Sequence, residues 1–379
     1  MRGGGVDKSP AVTSPLDPQA PLVLLLHGGT GNLTGKTGLA MLRYCPGPIV
    51  AVVDPEAAGQ SLKARTGIDR PVPIVASMAE ALAYQPAVAV VGLAPSGGRL
   101  PEVVHADVAV ALRAGLSVAS GLHTHLGEDP ELAALVQPGA WIWDLRREPA
   151  ELAVASARAA ALPCRRLLAV GSDMAVGKMS ACLALQAAAK RRGLDARFVG
   201  TGQAGILISG SGVALDAVRV DYAAGAVEAA VLAAAAGVDR QGWVLVEGQG
   251  SLCHPGSTAT LPLIRGSQPT DLLLVHRAGQ THTKGLPELV LPALDDLIAA
   301  VEALAALARP ITAQAPRPKV RAVALNTALL SEAEARSALT TTAAATGLPC
   351  ADLVREGVSG ADRLLEALLA QPPGADLVG

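Results

Sequence analysis

Aromatic side chains are nearly absent from this chain. Its 379 residues include three Trp, three Tyr and one Phe, only 2% of the total. Proteins that stack nucleobases on aromatic platforms carry more of them. Neither sign of charge is in excess: 31 Lys and Arg face 33 Asp and Glu, a net charge of −2. That excludes the basic face needed to neutralise a nucleic-acid backbone. No stretch reaches the ~18 uncharged apolar residues of a membrane span, and the run at Ala229–Ala236 is short and follows Glu228. The opening MRGGGVDKSPAVTSPLDPQAP has no apolar h-region, so it does not read as a secretory signal. It reads as a disordered lead-in over residues 1–20. The five cysteines (Cys45, Cys164, Cys182, Cys253, Cys350) show no CxxC spacing. Reduced thiols and a cytoplasmic location are therefore expected. Only Cys253 has neighbours suited to a catalytic or metal-binding thiol.

What the chain has is Ala, Val and Leu. Half of it is hydrophobic and 17% is charged, enough for sizeable cores, and its length favours two domains. PLVLLLHGG (21–29) is a short apolar run closed by glycine, as a buried parallel strand should be. A glycine turn, a helix over 36–44 and the strand PIVAVVD ending at Asp54 follow, in the order of a Rossmann-like half. Further strands are expected at 87–94 and 116–122. A first domain thus spans 21–148, and an Ala-rich helix over Pro149–Ala161 is expected to connect it to a second domain, 149–379. There, strands are expected at RRLLAV, ARFVGTG, WVLVEGQG, DLLLVH and VRAVALN. Helices run from 178 to Gly193, Asp221 to Gly237 and Leu291 to Ala308, and a Pro-rich loop covers 309–319. Alternating strands and helices imply an α/β fold with mostly parallel sheets, which bind ligands at the carboxyl ends of their strands.

The sharpest motif is GSDMAVGKMS, Gly171–Ser180. Glycines bracket a loop between a strand and a helix, and Lys178 opens the helix. Inward-pointing amides, the helix N-terminus and Lys178 together suit phosphate. The usual form is GxxxxGK[ST], but here five residues separate Gly171 from Gly177. The longer spacing resembles the loop of dethiobiotin synthetase and its relatives, GTDTxVGKT, with matches at Gly171, Asp173, Val176, Gly177 and Lys178. Ser172, Met174 and Ala175 complete the cradle. The residue after the lysine is Met179, where the usual loop has the hydroxyl that holds Mg²⁺. A thioether is a poor ligand for a hard cation, and Ser180 is rotated by about 100° around the helix. A cradle without ordinary Mg–nucleotide geometry favours coenzyme A, which is held by its phosphates without cleavage at phosphorus.

VLVEGQGSLCHPGS (244–257) delivers Glu247 at a strand end, a candidate to orient a metal or accept a proton from an amine. His254 is the other candidate base. Gln249, Ser251 or the amides of the GQGS turn are candidates to stabilise an oxyanion. GTGQAGILISGSG offers Gln203 as a polar reader of substrate. Asp221 reads as a helix N-cap. Asn326, at a strand end, is a candidate to read the adenine shared by ATP and CoA. Arg265 and Arg277 are candidates for substrate carboxylates. A second loop, Gly29–Thr37, repeats the GxxxxxGKT spacing and reads as a possible further phosphate site. His123 and His125 share a face if they lie on a strand, but a third metal ligand is not visible, and no metal is expected.

The combination of GSDMAVGKMS, GTGQAGILISGSG, DAVRVDYAAGAVE, EGQGSLCHP and RGSQPTDLLLVH resembles the DgcN-like family, long catalogued as a domain of unknown function. LLHGGTGNLTGKTGLAMLRY and VVDPEAAGQS are similar to its first domain. The resemblance runs from about Pro21 onward and is strongest over 166–285. It implies an N-terminal Rossmann-like domain plus a C-terminal P-loop NTPase-like domain of the dethiobiotin synthetase type. It also implies an acetyl-CoA-dependent N-acetyltransferase acting on a small amino acid, D-glutamate in the characterised member, beside a deacetylase. A homo-oligomer without nucleic-acid or membrane partners is expected. Two other classes fit the residues: an ATP- and Mg²⁺-dependent ligase or kinase with Ser180 and Glu247 at the metal, and a nucleotide-binding regulatory module without turnover.

Overall fold

The computed structural model describes residues 14–95, 100–310 and 317–371. They divide into two compact units. One takes the described residues up to Glu148 together with Gln203–Gly210; the other takes Pro149–Gly202 and those from Ser211 onward. Both are α/β, and the two large sheets are parallel throughout.

The first unit contains β1 (Leu22–Leu25), α1 (Lys36–Tyr44), β2 (Ile49–Val53), α2 (Leu62–Thr66), β3 (Ile74–Val75), α3 (Met78–Ala81) and β4 (Val88–Val91). α4 (Glu102–Arg113), β5 (Ser117–Ser120), α5 (Pro130–Ala133) and β6 (Ile142–Asp144) follow. The strand order β3-β2-β1-β4-β5-β6 is Rossmann-like. β1, β4 and β5 are buried at every residue, which is why β1 and β4 are unbroken apolar runs and not alternating ones. Residues 1–13 of the expected lead-in lie outside the described residues, and Leu16 is buried.

The second unit begins with β7 (Arg165–Gly171), α6 (Lys178–Arg191) and β8 (Ala196–Val199). The chain then forms α7 (Gln203–Ser209), which counts with the first unit. α8 (Val220–Ala234), β9 (Trp243–Val246), α9 (Thr260–Ser267), β10 (Asp271–Arg277) and a small antiparallel ribbon of β11 (His282–Thr283) and β12 (Leu286–Val290) come next. α10 (Leu294–Leu307), β13 (Lys319–Asn326), α11 (Glu332–Thr346), β14 (Cys350–Ala351) and α12 (Gly357–Leu369) complete it. The sheet order is β14-β13-β10-β7-β9-β8. β7 is therefore central, with the carboxyl ends of β9 and β10 on either side of the loop that follows it. At the other end of β7, buried Arg165 makes paired bonds to Asp271 at 2.8 and 3.1 Å and stacks 4.1 Å from the Trp243 ring.

Two local expectations fail. Pro149–Ala161 is not a helix: only Arg158–Ala161 forms a 3-10 turn. The backbone amides of Ser156 and Arg158 instead donate to Glu228 on α8, a carboxylate 1% exposed. A buried charge needs donors, and that need overrides the helix propensity of alanine. Asp221 is not the N-cap of α8; Arg219 holds that position, and Asp221 stands inside the first turn. Residues 311–316 of the expected Pro-rich loop lie outside the described residues. All five cysteines are free, and no helix among the described residues is long and apolar enough to cross a membrane.

Candidate functional site

The strand β7 ends at Gly171, and the loop to α6 turns over Ala175 (φ 54°) and Gly177 (φ 115°), both left-handed. Gly177 caps α6, and a side chain in that backbone conformation would be strained. Three loop carbonyls are tied down. Asp173 O accepts from Lys178 Nζ at 2.8 Å, Ala175 O from Arg277 Nη2 at 2.7 Å, and Val176 O from Asn326 Nδ2 at 3.0 Å. The amides of Lys178, Met179 and Ser180 open the helix without an intrahelical acceptor. Fixed carbonyls and open amides are what a phosphate cradle requires.

Lys178 is 6% exposed, and burial pushes its ammonium down to about 8 against the pull of Glu247 and Asp173. Glu247 follows β9 and is 5% exposed. Burial pushes its carboxyl up to about 7, opposed by amide bonds from Thr201 (2.8 Å) and Gly202 (3.2 Å) and by the charge of Lys178. A buried lysine and a buried carboxylate at the switch between neighbouring strands thus both titrate near neutrality, a feature that clusters at functional sites.

The remaining candidates divide by what they touch. Asp173 is fully buried and accepts from Met174 N (2.6 Å), Gln280 Nε2 (2.5 Å) and Lys284 N (2.6 Å). It pins the ribbon segment to the loop. Gln249 Nε2 donates to Glu247 Oε1 at 3.2 Å, so it orients that carboxylate with one of its two N–H groups. Ser251 Oγ is buried and donates to Ser172 O at 2.9 Å, a brace between two loops and not an oxyanion donor. Asn326 braces Val176 and accepts from Ala328 N at 3.1 Å through its other atom. Met179 and Ser180 lie half-buried in the first turn of α6.

His254 does not fit the role of base. Its Nδ1 accepts from Gly256 N at 3.0 Å, so the proton sits on Nε2, which faces Lys284 O at 3.3 Å. Neither nitrogen offers a free lone pair. Arg265 is exposed in the last turn of α9, just before the start of β10. It stands at the amino ends of the strands, the far edge of the sheet from the loop. Gln203 lies in the first unit, where Nε2 donates to Thr37 Oγ1 at 2.6 Å and Oε1 accepts from Arg146 Nη1 at 2.9 Å. Cys253 is half-buried, its thiol pushed up by burial, and His125 pairs with Glu128 at 3.3 Å. No cluster of three or more metal-ligating side chains occurs among the described residues.

Sequence reasoning missed Gln280, Lys284 and His276. His276 Nδ1 meets Ser172 Oγ at 2.8 Å, and burial lowers its imidazole below the ordinary range. Its place at the end of DLLLVH, on the strand beside the loop, was the available signal. Gln280 and Lys284 carry no pattern that predicts their role.

In the first unit the Gly29–Thr37 loop is closed. Asp54, fully buried, accepts from Gly28 N (2.7 Å), Thr30 N (3.2 Å) and Thr30 Oγ1 (2.5 Å). Gly35 lies so near the Gly29 carbonyl that a Cβ there would overlap it. Lys36 is exposed.

The fold and this site define a two-domain protein, Rossmann-like and then P-loop, with an open-amide loop near a buried carboxylate. Comparison with known proteins agrees on the two domains. A family model described as the DUF1611 P-loop domain, a domain of unknown function, matches residues 153–365, and its companion Rossmann-like N-terminal model matches 55–148. The chain belongs to the DUF1611 family. It is 34% identical over 355 residues to a D-glutamate N-acetyltransferase of Tritonibacter scottomollicae, covering 93% of this chain and 99% of that one. A protein of the same name from a Pseudoalteromonas species is 35% identical over 271 residues, 71% of this chain and 78% of that one. The crystal structure of a DUF1611 family protein from Anabaena variabilis superposes with a TM-score of 0.86 at 53% identity, covering 93% of this chain and all of that one.

Proposed function

We propose that this protein is an N-acetyltransferase that acylates the amine of a small amino acid, D-glutamate in the first instance, with acetyl-CoA as donor. Relatives of 34% and 35% identity named D-glutamate N-acetyltransferase support the transferase class. The observation that carries the donor is the loop itself: a buried Lys178 and open amides suited to phosphate, with Met179 where a Mg²⁺-holding hydroxyl would stand. The donor supplies the activated acetyl group. The chain supplies the rest. Lys178 and the amides of the loop hold phosphate oxygens. Glu247, close to neutrality, removes the proton that the amine must lose, with Gln249 and the amides of Thr201 and Gly202 fixing its orientation.

The test is product formation from D-glutamate and acetyl-CoA, with and without chelator, while ATP consumption is followed in parallel. N-acetylated product without ATP use supports the reading. Strict dependence on ATP and Mg²⁺ would replace it with a ligase or kinase, which needs the metal to neutralise charge at the transferring phosphoryl group.

A further inference from the structure

We propose that Arg277 is an anion ligand for the 3′-phosphate of coenzyme A, and that it separates this donor from nucleotides ending in a free ribose 3′-hydroxyl. The inference rests on the acetyl-CoA reading above.

Arg277 closes β10, and the β10–β13 register sets it opposite Asn326. β10 borders β7 on one side and β9 on the other borders it with Glu247. The arginine and the carboxylate therefore flank the loop, and the strand registers set Arg277 about four residues, or ~13 Å, further along the sheet than Glu247. An amine held at Glu247 lies well short of that level, so Arg277 is placed for a second group of a ligand already held by the loop.

The guanidinium is anchored but not consumed. Its Nη2 donates to Ala175 O at 2.7 Å, and no described residue accepts from Nε or Nη1. No carboxylate among the described residues pairs with it. Asp173, the acid of the loop, is already taken by three N–H donors. Arg277 is fixed to the loop at Ala175 O, from the end of β10, whereas the open amides are those of Lys178, Met179 and Ser180 in the first turn of α6. A ligand with two separated phosphate groups could engage both. A half-buried arginine with one fixed nitrogen presents its remaining donors as a planar fork, the geometry that phosphate takes well.

The experiment is calorimetric titration of the full chain with CoA and with 3′-dephospho-CoA, for wild type, Arg277→Gln, Arg277→Lys and Lys178→Ala. The expected wild-type result is CoA binding about ten- to a hundredfold tighter than dephospho-CoA. Arg277→Gln brings that ratio close to one by weakening CoA more than dephospho-CoA, Arg277→Lys keeps part of the ratio, and Lys178→Ala weakens both ligands. A wild-type ratio near one, or a ratio unchanged in Arg277→Gln, overturns the proposal. Equal weakening of both ligands by Arg277→Gln also overturns it and leaves the arginine as a brace for Ala175. An unchanged ratio with a raised KM for D-glutamate would move the arginine to a substrate carboxylate. Failure of wild type to bind either ligand removes the acetyl-CoA reading, and this inference with it.

Discussion

The loops Gly29–Thr37 and Gly171–Met179 share a spacing of glycine, five residues, glycine, lysine, each after a buried parallel strand and before a helix. At the residue after the lysine alone the first is nearer to the usual phosphate loop, with Thr37 where the second has Met179. The structure separates the two by what their neighbours bond. In the first, Asp54 ties down the amides of Gly28 and Thr30, the glycine backbones touch, Lys36 points to solvent, and Thr37 is buried with its hydroxyl bonded to Gln203. In the second, it is the carbonyls that are tied down, and Lys178 is buried beside Glu247. The difference lies in where the neighbouring acid reaches. Asp54 bonds its own loop, whereas Glu247 bonds the amides of Thr201 and Gly202 and leaves the phosphate loop open.

The largest expected effect separates those two acids. Glu247→Gln should lower turnover by about 10²–10⁴-fold, the usual consequence of losing a general base, and leave cofactor affinity nearly intact. Asp54→Ala should leave the intrinsic rate of the folded protein unchanged, but orphan buried amides and destabilise by about 1–3 kcal/mol. Rate assays alongside thermal melts check both. If Asp54→Ala cuts turnover of protein that is still folded, the first loop is functional and the contrast fails.

Next come the lysines. Lys178→Ala should weaken CoA about ten- to a hundredfold, the loss of a charge-assisted contact, and Lys36→Ala should stay within about twofold. Calorimetry with CoA and with ATP measures this. Unchanged affinity in Lys178→Ala would remove the second loop from the account.

The pH dependence sharpens the pair Glu247 and Lys178. Turnover should rise as Glu247 deprotonates near 7 and fall as Lys178 loses its charge near 8, giving a narrow bell. CoA binding should show the upper limb alone. Stability runs the opposite way. Glu247 in the fold titrates above its ordinary value of 4.5, so its contribution is full below about that pH and is lost as pH rises through about 7. The melting temperature of Glu247→Gln should therefore gain on wild type between those values. A difference constant across that range would mean that the carboxyl is not held protonated by burial.

The smallest effect concerns metal. Acetyl transfer should persist in excess EDTA, and Met179→Thr should raise ATP affinity only when Mg²⁺ is present. Activity abolished by the chelator would promote the ligase reading.

Much of the fold follows from the sequence because buried parallel strands leave unbroken apolar runs, as at Leu22–Leu25 and over 167–170, with glycines following them. Lys178 and Glu247 are equally readable, since a strand end is where such sheets place chemistry. The roles of Gln249, Ser251, His254 and Asn326 are not. Each is a polar residue in a loop, and whether it braces or reacts depends on which partner folding brings within about 3 Å.

By itself the sequence determined two α/β units, the strand ends that carry Lys178 and Glu247, and the misfit of Met179 as a magnesium ligand. Those features depend on local residue type and period, and on nothing distant in the chain. The tertiary structure alone decided that Asp54 closes one glycine loop, that Glu228 holds residues 149–161 out of a helix, that both His254 nitrogens are engaged, and that Arg265 stands at the wrong end of the sheet. Each turns on a hydrogen bond or a strand direction fixed by long-range packing. A lone loop residue carries no local signal of such a partner, because the partner's position is set by the whole sheet.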